Sequence, residues 1–381
     1  MQRILRYVLP LVFIFISFFV KAQNGSHHIR ISVLTCAPGD DLYSLFGHSA
    51  IRIIDSATHN DLVFNWGTFD FADPDFYIKF TRGKLMYMLS VSRFNEFMTE
   101  FLEEKRSVYE QELNLTAEER NIIHEAIQLN LSGDNRYYHY DFLFDNCTTR
   151  IRDIISKYTK RFSGVVPLVP KGTTFRNMIY EYLDRGGQPW SKLGIDILLG
   201  SKIDKAVNNY QSMFLPEYLL KGLDSSKVNL VKQKKAIFYG QPATDKSSKY
   251  TPLILFSIIA LAIIVLSLFK SPQINIAVKC IDFLLLFITG AVGLLILFMW
   301  FGTNHASCGN NYNLLWAMPF NFMAAFFIWR KKDWIKKYFY FIWALNLSTL
   351  LLWLWLPQQL NIALIPVILL LCVRSYRLAK Y

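Results

Sequence analysis

The sequence predicts an α+β exported domain followed by an all-α transmembrane bundle of about five helices, and three observations carry that prediction. The 381 residues are 52% hydrophobic and 16% aromatic, more than a soluble domain of this size holds, and the excess lies at the extreme N-terminus and after Lys249. Residues 23–230 instead alternate short strand-like runs with amphipathic helical ones. Finally, the Lys and Arg residues of the apolar half fall only in every second loop, as membrane insertion demands.

Residues 1–22 read as a signal peptide: Arg3 and Arg6, an apolar run from Tyr7 to Val20, and Val20-Lys21-Ala22 before Gln23. An uncleaved first helix is the alternative, and either leaves residues 23–230 outside. Ile29 to Thr35 alternates like a strand and Pro38-Gly39-Asp40 makes a turn. His48 to Ile54 and Leu62 to Gly67 form a predicted hairpin across the polar stretch Asp55 to Asp61. Residues 73–104 carry aromatics, Lys and Arg at helix-like spacing, so Arg82, Lys84 and their aromatic neighbours fit either lipid headgroups or an ordinary amphipathic core helix. Thr116 to Glu119 is a capping box for a helix to about Leu131, and Asp145 to Ile155 reads as another helix start with Asp145 as cap.

Residues 231–250 read as a basic linker, with Lys232, Lys234, Lys235, Lys246 and Lys249 either solvated or resting on anionic headgroups. Hydrophobic stretches then lie at about 251–269, 281–301, 314–329, 338–356 and 360–373, the third and fifth short for a core of roughly 30 Å. Lys270, Lys279, the run Arg330 to Lys337, and Arg374, Arg377 and Lys380 fall on one side, while 302–313 and 357–359 carry no Lys or Arg. The domain is therefore expected outside and the C-terminus in the cytoplasm of a bacterial inner membrane. The net charge of +12 needs no nucleic acid to explain it.

Of five cysteines, Cys280 and Cys372 fall in or beside the spans as expected packing residues. Cys36, Cys147 and Cys308 face an oxidising compartment in an odd number, so at least one thiol is free or paired elsewhere, and Cys36 with Cys308 is one conceivable pair. No Cys/His spacing fits zinc, and no metal, cofactor or nucleotide site is expected.

Cys147 falls in the first turn of a predicted helix, where free amides and the helix dipole stabilise a thiolate. A nucleophile also needs a base. Among the exported histidines, His27 and His28 follow the signal, His59 sits in the hairpin turn, His124 on a helix and His139 in a Tyr/His run, whereas His48 opens an apolar strand after Gly47. Counting across the hairpin puts Asn65 or Trp66 beside it, and Asn65 can accept the ring N–H. Taken alone, such a cysteine and histidine are more often core residues than a catalytic pair.

The order of a histidine, an apolar strand, a polar residue on the returning strand, and a later Asn-Cys at a helix start resembles the permuted papain-like arrangement of the lecithin:retinol acyltransferase group. More closely, Leu34 to Asp40, Phe46 to Arg52, Asn65 to Phe71, Tyr140 to Arg150 and Phe214 to Tyr218 resemble the Lnb family of bacterial lipoprotein N-acyltransferases, which joins a periplasmic to a transmembrane domain. The resemblance implies that Cys147 takes an acyl chain from a phospholipid donor as a thioester, that His48 is its base, oriented by Asn65, and that the acceptor is the N-terminal amine of a diacylated lipoprotein. Substrate contacts are expected from Arg52, Asn146 and Arg150, and from the polar outward loop through His305 and Asn313, which fit headgroup binding, docking of the exported domain or a plain turn. Two other readings fit the residues: a membrane-anchored cysteine amidase or peptidase using water, and a non-catalytic receptor or assembly factor.

Overall fold

The structure, a computed structural model, describes residues 28–159, 166–241, 250–269, 271–330 and 332–380. The expected signal peptide lies outside the described residues, as do Lys246 and Lys249.

The N-terminal half is built on a seven-stranded antiparallel sheet, ordered β6-β4-β3-β2-β1-β5-β7. Its strands are β1 (Ile29–Cys36), β2 (His48–Asp55), β3 (Asn60–Thr68), β4 (Met86–Arg93), β5 (Val108–Leu113), β6 (Tyr137–His139) and β7 (Val231–Phe238). Alternation sorts the side chains onto two faces. Ile31, Val33, Ile51, Ile53, Phe64 and Trp66 face a core closed by α3 (Ala117–Leu131) and α4 (Cys147–Thr159). Leu34, Cys36, Ala50 and Val63 face a smaller core under α2 (Phe94–Glu103), through Phe97, Met98 and Phe101.

Two expectations are corrected. The aromatic stretch 73–104 is not continuous helix: α1 (Phe76–Thr81) and α2 flank β4, whose residues pair with β3 from Leu62↔Arg93 onward. Nor is 231–250 all linker, because Val231–Phe238 is the edge strand β7 paired to β5. Its lysines answer acids of the same domain: Lys232 meets Glu112, Lys235 meets Glu110 and Lys234 meets Asp224. Charged lysines also protect an edge strand from pairing with other chains.

Past the sheet, α5 (Phe175–Arg185), α6 (Pro189–Leu198), α7 (Asn209–Ser212) and α8 (Pro216–Asp224) close a third core around Phe175, Tyr182, Phe214 and Leu215. The C-terminal region is helical: α9 (Pro252–Leu266), α10 (Pro272–Phe301), α11 (Phe320–Ala325), α12 (Asp333–Leu351) and α13 (Leu364–Lys380). Among the described residues, α10 alone is at least 18 residues long and apolar enough to cross a membrane by itself. Large apolar side chains such as Ile258, Leu261, Ile288 and Leu354 are exposed around the bundle, which suits hydrocarbon and not water.

The third expected span, 314–329, is broken into a 3₁₀ turn at Tyr312–Leu315, the short α11 and turns. It packs on α10 at two glycines: a Cβ at Gly290 would overlap the Phe322 backbone, and one at Gly293 the Ala317 carbonyl. Small residues permit such close approach where lipid supplies no hydrophobic drive. Its freed polar groups are used, since Tyr338 Oη donates to Asn321 Oδ1 at 2.6 Å and Asn321 Nδ2 to Thr289 Oγ1 at 3.3 Å. Asp282 and Arg374 form a two-bonded pair at 2.7 Å inside the bundle. Cys372 is buried as expected, whereas Cys280 is exposed on α10.

The two halves are joined by a polar seam. Arg176, with no exposed surface, donates to Asp196 (2.5 Å), to Asp204 (2.8 and 3.0 Å) and to the Leu199 and Gly200 carbonyls. The loops lacking Lys and Arg lock onto this segment. Gly200 N–H donates to the Ser307 carbonyl and Ser201 N–H to that of Asn310, Gln358 Nε2 to the Leu199 carbonyl, and Asn361 Nδ2 to Asp196 Oδ2.

Candidate active site

The site is assembled at one end of the sheet. Gly47 has φ +76°, a conformation that favours glycine, and a Cβ there would come within 2.7 Å of the Cys36 carbonyl. This turn delivers His48 as the first residue of β2, opposite Cys36 in β1. The β2–β3 register pairs Ile51 with Phe64, so continuing it sets Asn65 opposite Ala50, two residues from His48 and on the same face. The contact is direct: His48 Nε2 and Asn65 Oδ1 are 2.5 Å apart. A carbonyl oxygen only accepts, so Nε2 carries the proton and Nδ1 is the nitrogen left for another partner.

The group it serves is Cys147, the first residue of α4, whose thiol His48 acts on by charge and hydrogen bond. The cap is Asn146 and not the expected Asp145: Asn146 Oδ1 accepts from Thr149 N–H while Thr149 Oγ1 accepts from Asn146 N–H, each at 2.8 Å. Asn146 also donates to the Phe142 and Phe214 carbonyls at 2.7 and 3.0 Å, uniting two distant segments beneath the thiol. Asp145 is held instead by Arg150, at 2.6 and 2.8 Å. With Thr149's amide taken by the cap, those of Cys147 and Thr148 have no acceptor within the helix.

Charge settles the thiol. Burial alone raises Cys147, but the adjoining His48, by charge and hydrogen bond, together with the Ser49 N–H and Thr148 hydroxyl, brings it from 9.0 down to about 7. Burial lowers His48, and the opposing pull of Cys147 and Asn65 leaves it above its ordinary 6.5. A thiolate–imidazolium pair is thus favoured near neutrality. Cys36, opposite His48 in β1, is not held down in this way: burial outweighs the charge of Arg106 and pushes its thiol far up, out of nucleophilic range. Cys36 and Cys308 are separate free thiols, which corrects the conceivable disulfide.

The structure brings Cys147, His48 and Asn65 together and assigns protein contacts to the five residues expected at substrate. Arg52 is buried between Asp61 (2.6 and 2.7 Å) and Glu110 (3.2 and 3.3 Å), stacked 3.4 Å over the Phe94 ring. Asn146 is the cap, and Arg150 lies 3.6 Å over the Tyr138 ring besides holding Asp145. His305 Nε2 donates to the Phe80 and Thr81 carbonyls at 3.3 and 3.1 Å. Asn313 is buried, donating to the Asp196 carbonyl at 2.7 Å and accepting from Trp316 Nε1 at 2.9 Å. Of the three roles open to the outward loop, docking of the two halves accounts for both residues.

Sequence reasoning missed Ser49, whose N–H reaches the thiol and whose hydroxyl accepts from Thr148 at 3.1 Å; its position just after His48 was the available signal. It also missed buried Tyr138 and half-buried Tyr140, whose phenols desolvation and then the nearby Cys147 push up. Among the described residues no three His, Cys, Asp or Glu side chains converge as a metal site.

Residues 18–179 match the Lnb N-terminal periplasmic domain and residues 244–381 the Lnb transmembrane domain. The chain belongs to the Lnb family. The family's two domains meet here at the polar seam, so this Lnb-family member is a membrane protein with a periplasmic domain held against its transmembrane part. No curated protein and no solved structure matches the chain significantly.

Proposed function

We propose that this protein is a phospholipid-dependent lipoprotein N-acyltransferase with a permuted papain-like site, working in the bacterial inner membrane with its C-terminus in the cytoplasm. The observation that carries the reading is the Cys147–His48–Asn65 constellation, a thiol of pKa about 7 hydrogen-bonded to an imidazole whose far nitrogen is fixed at 2.5 Å, in a domain docked on a membrane bundle. In the first half-reaction the Cys147 thiolate attacks the ester carbonyl of a phospholipid. The tetrahedral oxyanion has the Cys147 and Thr148 amides at the helix start to stabilise it. Its collapse breaks the ester C–O bond, and the lysophospholipid oxygen takes the proton from His48. In the second, the N-terminal amine of a diacylglyceryl-cysteine attacks the thioester, His48 accepts the amine proton, and the thiolate leaves as the amide forms. Asn65 holds the ring for both steps. Donor and acceptor are both anchored in the outer leaflet, so a site tethered there meets them at high effective concentration.

The test is intact-protein mass spectrometry of the full chain in phospholipid vesicles. The reading expects an acyl adduct on Cys147, labile to hydroxylamine, absent from Cys147→Ala and discharged faster by a diacylated lipopeptide. Discharge at the same rate without lipopeptide moves the assignment to a hydrolase using water, and no adduct overturns the thioester.

A further inference from the structure

We propose that α1 and the turn before it form a membrane-inserting surface, with Phe71, Tyr77, Ile78 and Phe80 dipping into the outer leaflet beside the site. Tyr77 and Phe71 are 81% and 75% exposed, and Ile78 and Phe80 are more than half exposed, in a helix whose only buried residue is Phe76. Four large apolar side chains on one short segment are costly against water and suit the acyl–headgroup boundary.

The bilayer is the occupant because of where this segment is fixed. The Arg82 carbonyl accepts from Asn304 N–H, and His305 Nε2 donates to the Phe80 and Thr81 carbonyls. Asn304 and His305 come three and four residues after Phe301, the last residue of the 30-residue apolar helix α10, so the C-terminal end of α1 is pinned at the level where that helix leaves hydrocarbon. Charge is ordered to match. Arg82 and Lys84, both exposed and without an ion-pair partner among the described residues, follow the patch at its pinned end, level with the headgroups. The acids Asp70, Asp73 and Asp75 all precede α1, and Lys79 neutralises Asp73 at 2.7 Å. Basic residues at that level meet anionic headgroups.

The inference deepens the proposed function, because the patch opens onto a line of rings directed to the thiol. Phe76 meets Phe69 (5.6 Å between centroids), Phe69 meets Tyr87 (5.2 Å) and Tyr87 stacks on Tyr140 (4.7 Å). Tyr140 in turn lies close enough for Cys147 to perturb its hydroxyl. An acyl chain leaving the bilayer along these rings would bring its ester to Cys147 without crossing water.

The experiment has a readout independent of acyl transfer. The full chain carrying Tyr77→p-benzoylphenylalanine is irradiated in phospholipid nanodiscs and compared with the same photoprobe at Leu129, an exposed residue of α3. A lipid adduct at position 77 and not at 129 is expected; equal labelling at both, no lipid adduct at 77, or a crosslink to a second copy of the chain overturns the proposal. The companion variant Tyr77→Glu/Ile78→Glu, at exposed positions, should retain its thermal midpoint and lose acylation by bilayer phospholipid several-fold while keeping that by detergent-dispersed short-chain phospholipid. Equal loss with both donors also overturns it. If the wild type forms no thioester yet position 77 labels lipid, the fault lies in the acyltransferase reading and not in the surface.

Discussion

Replacing His48 by Gln removes the charge and hydrogen bond that hold the Cys147 thiol down while keeping a side chain of similar volume. The wild-type thiol, at about 7 and not 9.0, is about half ionised at pH 7, against about 1% for an ordinary one. Without His48 the ionised fraction at pH 7 therefore falls about fiftyfold. The more basic thiolate is intrinsically about eightfold more nucleophilic for a rise of two units, so the net alkylation rate at pH 7 drops by about sixfold or more. Burial, then opposed only by the Ser49 N–H and the Thr148 hydroxyl, pushes the thiol up and enlarges the drop. The sign is fixed by the direction of the shift: reactivity is present above about pH 7 and fades as pH falls through it. The assay is iodoacetamide alkylation from pH 5 to 10, quantified on the Cys147 peptide alone, because Cys280 is exposed and labels independently. A wild-type midpoint near 9, or coincident wild-type and His48→Gln profiles, refutes the ion pair.

Asn65→Ala should lower kcat by about tenfold with little change in the donor KM, as expected for losing roughly 1.4 kcal/mol of ring orientation; steady-state kinetics in mixed micelles decide, and an effect confined to KM contradicts the role. Arg176→Met leaves buried Asp196 and half-buried Asp204 without their cation and should cost about 3–5 kcal/mol, read as a large fall in thermal midpoint in detergent; an unchanged midpoint counts against the seam. Gly290→Ala forces α10 away from Phe322 and should destabilise by about 1–3 kcal/mol, whereas Gly194→Ala, with open space around its Cβ, should not; equal behaviour of the two contradicts the packing.

What was legible in the sequence was local or was a contrast between neighbours. Thr116 and Glu119 announced α3 because both halves of a capping box lie within one turn, and the cap formed as read. His48, Asn65 and Cys147 could be found because a hairpin register and a helix start are short-range constructs. The choice of Asn146 over Asp145 could not, since it depends on a carboxamide that accepts from Thr149 while donating to Phe214, 68 residues away, and on Arg150 drawing Asp145 aside. β7 was hidden for the same reason: its lysines look like a linker until Glu110 and Glu112 of β5 lie alongside, and pairing across 120 residues leaves no local mark. Arg52 beside His48 looked like a substrate ligand because its partners Asp61 and Glu110 come from other strands. The break in 314–329 was foreshadowed only by its shortness. Its cause, the contact of two α10 glycines with Ala317 and Phe322, is tertiary.

The central claim is tested most directly by mass spectrometry of the N-terminal peptide of a model lipoprotein, in a host lacking its own N-acyltransferase, expressing either this chain or Cys147→Ala at equal membrane levels. The account predicts a gain of one acyl chain on the N-terminal amine with the wild type and none with the variant. An unmodified amine with both, or the same gain with both, would contradict it.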